Sequence, residues 1–431
     1  MILLKKRNIL DLLWAKNLEG VLLGLVMVTL LFKESVNSIF LILYLFFWLI
    51  KGNLKKIELK NLQRIWFYFL SVSVYLVWIF IRNFDSLEPT KALDLLLKQA
   101  TILVFPIILN HRDIEQKNLN TVNIIFFYGI FIYVCYLYFV VFLKFIELGR
   151  WYELDPVHPT WKYYFYTTGR LSPDVHPTFL SMFIVYCING QWKRINNIKF
   201  GLRRALDYFI MAVLTITTLL LSSRGALLSL FMVFVLYQIT RIFKGQFKGI
   251  IYLAIIILIG AGIYSNTGTF NRVSKLKNVY GKSLVEIANI SNSTGKRAQI
   301  YLIGKDVVKD NFWTGIGTKN WQLVNRHYYN INHSDDFKYF IDTLNTHNQY
   351  LNALVCWGFI GLLLFTSIIA GNIYFGKVDV SAFLFWCFMA ILLLTENILN
   401  RHRGIVFFSI LSAFTINQYL EYKCNIKKSQ I

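Results

Sequence analysis

The chain has 431 residues, 56% of them hydrophobic and 16% charged, with a mean hydropathy of +0.49. A soluble globular chain carries about a quarter charged residues, so this composition excludes an ordinary soluble domain. The formal charge of +22 does not point to nucleic acid, because in a membrane protein basic residues hold loops on the cytoplasmic side.

Apolar residues fall in blocks of about 16 to 22, the length that crosses a bilayer core. The first follows Lys5-Lys6-Arg7, an arrangement resembling a signal peptide. No small-residue cleavage site follows and a second apolar run comes at once, which reads as an uncleaved first helix. In chain order the pattern predicts twelve spans: 18–32, 36–50, 65–81, 95–110, 121–146, 176–190, 206–222, 225–240, 249–265, 349–370, 380–396 and 404–420. Lys and Arg concentrate in the connections 51–64, 191–205 and 241–248 and in the tail after 420. Short-loop bias of this kind sets orientation, and it predicts both termini in the cytoplasm.

The long segments 147–175 and 266–348 then face outward. The organisation expected is 1–265 with spans one to nine, 266–348 as a large extracytoplasmic helical loop, and 349–431 with spans ten to twelve and a cytoplasmic tail. Within the loop, Ile300, Ile303, Val307 and Val308 recur every three to four residues, the period of an amphipathic helix. The glycines of "GIGTKNW" (315–321) lack a preceding strand and the Walker lysine spacing, which argues against ATP-driven chemistry. Five cysteines, Cys135, Cys187, Cys356, Cys387 and Cys424, show neither metal-ligand spacing nor a disulfide framework.

Several ionisable residues on the outward boundary are not explained by membrane insertion. Arg224, in "LLLSSRGALLSL", is either a snorkelling arginine at a tight turn or a ligand approached closely through Ser222, Ser223 and Gly225. Arg297 shares a helix face with Tyr301 and Lys305, which is either a solvated face or part of a site. His347 opens the tenth span, as a helix cap or as a catalyst. Arginine is a permanently charged bidentate ligand for phosphate oxygens, and histidine is the side chain suited to take a proton near neutral pH. The set suits attack by a hydroxyl with departure of phosphate or pyrophosphate. His333, Asp335, Asp336 and Asp342 could hold a divalent ion, but "NHSDDFKYF" reads better as a solvated loop. His176, at the start of the sixth span with Pro177 at N1, either lines the site or, the stronger reading, serves a helix-start role. Glu396 is expected to pair with Arg401 or Arg403, pinning spans eleven and twelve.

"HNQYLNALVCWGFIG" resembles the pattern His-[Asn/Ser/Gln], nine residues, Gly-x-x-[Gly/Thr/Tyr] of the bacterial O-antigen ligase family. The positions are His347, Asn348, Gly358 and Gly361. "SSRGALL" around Arg224, and "GKRAQIY" around Arg297 ahead of "GIGTKNW", resemble the family's other landmarks, and the likeness runs over roughly 205–420. It implies an all-α polytopic enzyme of about twelve transmembrane helices, glycosyltransferase C-like, in the bacterial inner membrane with its site on the periplasmic face. Such an enzyme moves a glycan from undecaprenyl pyrophosphate to a sugar hydroxyl of lipid A–core in lipopolysaccharide biosynthesis, with no cofactor, metal or ATP. Carried over by position, Arg224 and Arg297 hold the donor pyrophosphate and His347 orients or deprotonates the acceptor hydroxyl. Tyr301, Asn348, His176 and Arg401 are secondary candidates. Family members commonly have tryptophan where Tyr301 stands, which leaves ring contacts with the donor open. The expected partners are the lipid-linked glycan, lipid A–core and membrane lipids, with no nucleic acid.

An O-antigen polymerase uses the same type of donor. The arginine, ten residues, glycine pattern of some polymerase loops is missing here, which favours a ligase. A protein O-oligosaccharyltransferase is a further alternative. An exporter would need polar groups right across the bilayer, whereas these cluster on one face.

Overall fold

The computed structural model describes residues 18–51, 63, 65–109, 116–147, 171–195, 201–221, 223–243, 245, 293–321 and 345–429. Among them the regular structure is helical, with no strand. The helices are α1 (Leu18–Thr29), α2 (Glu34–Ile50), α3 (Trp66–Asn83), α4 (Pro89–Leu109), α5 (Gln116–Glu147) and α6 (Pro177–Ile195). They continue as α7 (Leu202–Leu220), α8 (Arg224–Phe243), α9 (Ser293–Asp310), α10 (Gln349–Gly376), α11 (Val380–Leu392) and α12 (His402–Ser429).

Helices stand at eleven of the twelve expected span positions, and 249–265 lies outside the described residues. Four are long and apolar enough to cross a membrane: Trp66–Asn83, Pro89–Leu109, Asn118–Lys144 and Gln349–Gly376. Leu18–Thr29, Glu34–Ile50, Gly225–Ile239 and Val380–Leu392 are shorter apolar helices. Large side chains such as Ile42, Phe46, Phe67, Val77 and Ile132 are exposed on α2, α3 and α5. An outward apolar surface of this extent belongs against lipid rather than water. The protein is an integral membrane protein built as a helical bundle.

Inside, α12 packs along α4, and α10 lies between α3, α11 and α12. Phe183 and Phe407 meet edge to face at 4.7 Å, joined by Phe126 and Tyr186, and tie α5, α6 and α12 together. Several interior polar groups are paired across helices, as groups out of water favour. The Asn37 amide donates to the Val26 carbonyl at 2.7 Å, and Tyr75 donates to Gln99 at 3.2 Å.

α10 is broken in the middle. Gly358 has φ +69°, a left-handed conformation that glycine alone adopts freely. The break frees carbonyls that the 311–321 segment takes up: Ile316 N–H donates to Val355 O at 2.9 Å and Gly317 N–H to Cys356 O at 3.0 Å. In return, Phe359 N–H donates to Phe312 O at 2.7 Å. A Cβ at Gly358 would collide with the Trp313 and Thr314 backbone, and one at Gly315 with Cys356 and Val355. The glycines of "GIGTKNW" thus plug the broken helix. Arg82 donates to Gly315 O at 3.0 Å and Trp357 Nε1 to Thr318 Oγ1 at 3.0 Å, which locks the plug to α3 and α10.

Candidate functional site

The site assembles around the N-terminus of α10. Asn348 is the N-cap, its Oδ1 accepting Tyr350 N–H and Leu351 N–H, both at 3.0 Å. An asparagine cap stabilises a helix by about 1 kcal/mol over alanine. The capping alternative weighed for His347 therefore falls to its neighbour. His347 itself has φ +46°, where a non-glycine residue stores about 1–2 kcal/mol of strain. Its N–H donates to Asn345 Oδ1 at 2.8 Å.

The surroundings hold that strained residue in place. Asn397 Nδ2 donates to Thr346 Oγ1 at 2.7 Å, and Thr346 Oγ1 donates to Asn348 O at 3.0 Å. Gln349 N–H donates to Leu393 O at 2.8 Å, while its side chain accepts from Leu399 N–H at 2.9 Å. Gln99 donates to Leu399 O at 3.1 Å from α4. Buried amides thus fix the turn between α11 and α12 against the start of α10.

That turn carries Glu396. His347 Nδ1 lies 3.5 Å from Glu396 Oε2, and the carboxylate is almost fully buried. The separation is long for a hydrogen bond, so the contact is chiefly electrostatic, and catalytic pairs commonly tighten on binding substrate. Burial alone would raise the Glu396 carboxyl. The His347 contact, the charges of His347 and His176 and the Asn397 N–H together hold it below its ordinary value, so it is ionised at neutral pH.

The ion pair expected between Glu396 and Arg401 or Arg403 does not form. Arg403 begins α12 and donates to Asp174 O and Phe32 O, both at 2.7 Å. Arg401 is exposed, beyond the short 3₁₀ turn Ile398–Asn400, with no carboxylate partner among the described residues. Five positions on from Glu396, with that turn between, Arg401 has been carried past the carboxylate, which His347 occupies instead.

The α9 helix forms as its periodicity predicts. Ile300, Ile303 and Val307 are buried, and Gly304 lets Leu351 of α10 approach. Arg297, Tyr301 and Lys305 lie on the opposite, exposed face. Asn348 Nδ2 donates to Tyr301 Oη at 3.4 Å, which joins that face to the His347 turn. His176 precedes Pro177, and its Nδ1 accepts Thr178 N–H at 3.4 Å, the expected helix-start role. It also faces the site. Its pKa is lowered: burial comes first, Glu396 opposes it, and Arg401, His347 and Arg297 reinforce it.

The Arg224 side chain lies outside the described residues, but its backbone neighbours are placed. Ser223 Oγ is 3.1 Å from Thr178 Oγ1, two residues from His176. A Cβ at Gly225 would collide with Thr395 Oγ1. The glycine beside Arg224 therefore allows α8 to begin directly against the Glu396 turn. His333, Asp335, Asp336 and Asp342 also lie outside the described residues.

The structure thus brings His347, Asn348, Tyr301, Arg297 and His176 to one end of the bundle, with the start of α8 and Arg401 beside them. Glu396 as the partner of His347 was missed by sequence reasoning. Its signal was an acidic residue in the apolar context "LLLTENIL".

No curated protein matches the chain. The family model described as O-Antigen ligase matches residues 209–366, which run from α7 through α10 and contain Arg224, Arg297 and His347. The activity associated with this family is that of a membrane glycosyltransferase, of ligase or polymerase type. Over residues 209–366 the chain is therefore similar to the O-antigen ligase family.

Proposed function

We propose that the protein is an O-antigen ligase, which transfers a glycan from undecaprenyl pyrophosphate to a sugar hydroxyl of lipid A–core. The observation that carries this reading is the His347–Glu396 pair at 3.5 Å, set at one end of an apolar bundle beside a face bearing Arg297. A base oriented by a third group is the arrangement that activates a hydroxyl. Glu396 lies against Nδ1, which leaves Nε2 as the nitrogen for the acceptor hydroxyl.

The acceptor oxygen attacks the anomeric carbon, and the bond from that carbon to the pyrophosphate oxygen breaks. The hydroxyl proton passes to His347, and the bonding electron pair leaves on the pyrophosphate. Arg224 and Arg297 bind the diphosphate and stabilise the charge that grows on its leaving oxygen, the most effective place for fixed cationic donors. Glu396 stabilises the imidazolium. Tyr301 and Asn348 position the donor side of the site, and His176, neutral through burial, lines it. No metal, cofactor or ATP takes part.

The reading carries its topology with it. Twelve glycosyltransferase C-like spans lie in the bacterial inner membrane, both termini are cytoplasmic, and 266–348 is periplasmic. Both substrates are lipids whose reactive ends meet at headgroup level, which explains a histidine at the mouth of a span. A polymerase would share every step except the acceptor. A deletion strain on a lipopolysaccharide gel separates the two. Rough core with accumulated lipid-linked polymer supports a ligase, whereas core bearing one repeat supports a polymerase.

A further inference from the structure

Beside the His347 turn lies a cavity of about 210 Å³, bounded by the plug, the start of α10, the turn before α12 and Leu95 of α4. It is smaller than the roughly 300–1,000 Å³ of a site for a whole drug-sized ligand. Its size suits a substituent rather than an oligosaccharide. Among the described residues, neither α8 nor α9, the helices of Arg224 and Arg297, contributes to its wall.

The wall is rich in donors. Lys319 is half-buried and held at φ +67°, and among the described residues it makes no ion pair. The nearby carboxylates are engaged elsewhere, Asp94 with Lys98 at 3.0 Å and Glu88 with Lys91. Trp321 is 3% exposed and among the described residues its Nε1 has no hydrogen-bond partner, although a buried donor left unpaired is costly. Arg401 stands exposed at the rim, and Asn345, Asn352 and Asn400 supply amides. Asn345 is the residue whose Oδ1 receives the His347 N–H.

We propose that this cavity is a second anion subsite, in which Lys319, Arg401 and Trp321 Nε1 take the oxygens of a phosphate or carboxylate substituent carried by the acceptor glycan. Two cations and an unpaired N–H in one cavity call for an oxyanion. An acceptor whose hydroxyl meets His347 holds its neighbouring substituents next to Asn345. Burial lowers the Lys319 pKa, with Cys356, Asp94 and Glu88 opposing and Lys98 reinforcing, and an anion in the cavity would restore a counter-charge. The subsite selects acidic acceptors over neutral ones of the same sugar sequence.

The acceptor assignment rests on the ligase reading, so the test has two independent parts. In nanodiscs, transfer is measured to lipid A–core and to the same acceptor chemically dephosphorylated. Lys319→Met should raise the KM for the phosphorylated acceptor about tenfold, the loss expected for one charge-assisted contact. The KM for the dephosphorylated acceptor and for the donor should stay unchanged. Equal loss on both acceptors, the result if the cavity held the donor diphosphate, overturns the proposal, as does no loss on either. The second part needs no transfer. In an Arg224→Gln, Arg297→Gln double variant, tryptophan fluorescence should report saturable binding of glucose 6-phosphate but not glucose, abolished by Lys319→Met. Its absence overturns the subsite even if the parent chain transfers glycan, whereas its presence when the parent chain transfers nothing overturns the ligase reading alone. Should Lys319→Met fail to accumulate, Trp321→Phe, which removes only the indole N–H from the cavity, gives the same transfer readouts.

Discussion

Replacing Glu396 by glutamine keeps the shape and an acceptor oxygen against His347 Nδ1 but removes the charge. At 3.5 Å, a carboxylate and an imidazolium attract by about 5 kcal/mol at an effective dielectric of about 20. The imidazole is a quarter exposed, and solvent and ions screen roughly half of that attraction. About 2–3 kcal/mol remains, which Glu396 supplies when the ring takes the acceptor proton. Glu396→Gln should therefore lower kcat roughly 30- to 150-fold and leave donor KM unchanged. Steady-state transfer by purified protein in nanodiscs measures both quantities, with thermal unfolding as a check that the variant is folded. A kcat within about threefold of the parent protein would show that Glu396 holds the turn in place and does not assist proton transfer.

Gly358→Ala should cost about 3–5 kcal/mol, from left-handed strain, collision with the plug backbone and lost hydrogen bonds. The check is a thermal unfolding midpoint several degrees lower, with Gly371→Ala, which meets only the Tyr68 ring, near the parent value. Arg224→Lys and Arg297→Lys should each lose at least about tenfold in kcat/KM at normal abundance, since lysine lacks the bidentate fork; near-full transfer by both would make them simple positive charges. The folded Glu396 carboxyl titrates below its ordinary value of 4.5, so its stabilisation is present above that pH and is lost as pH falls through the lower, folded value. A pH series of unfolding midpoints should show less acid destabilisation in Glu396→Gln than in the parent.

Helix positions were legible because a run of apolar residues long enough for a bilayer has few other physical uses, and the α9 face was legible from the spacing of Ile300, Ile303 and Val307. Arg224, Arg297 and His347 were expected on one membrane boundary, with Tyr301 on the face of Arg297, and Asn348 donates to Tyr301 Oη at 3.4 Å. What stayed hidden depends on contacts between residues far apart in the chain. Glu396 was read against its sequence neighbours, whereas its partner arrives from the start of α10. Gly358 was visible as a motif position, but its break in the helix has meaning only once the 311–321 plug is seen to occupy it. Lys319 looks like any loop lysine until that plug buries it beside Trp321.

The most direct test is glycan transfer by purified protein in nanodiscs supplied with undecaprenyl-pyrophosphate-linked glycan and lipid A–core, comparing the parent chain with His347→Gln. Glutamine can donate and accept hydrogen bonds but cannot serve as a base. The parent should form glycan-capped lipid A–core with one undecaprenyl pyrophosphate released per transfer, and His347→Gln should bind the donor yet turn over negligibly. Substantial turnover by His347→Gln would contradict the general-base assignment, and no transfer by the parent would contradict the ligase reading itself.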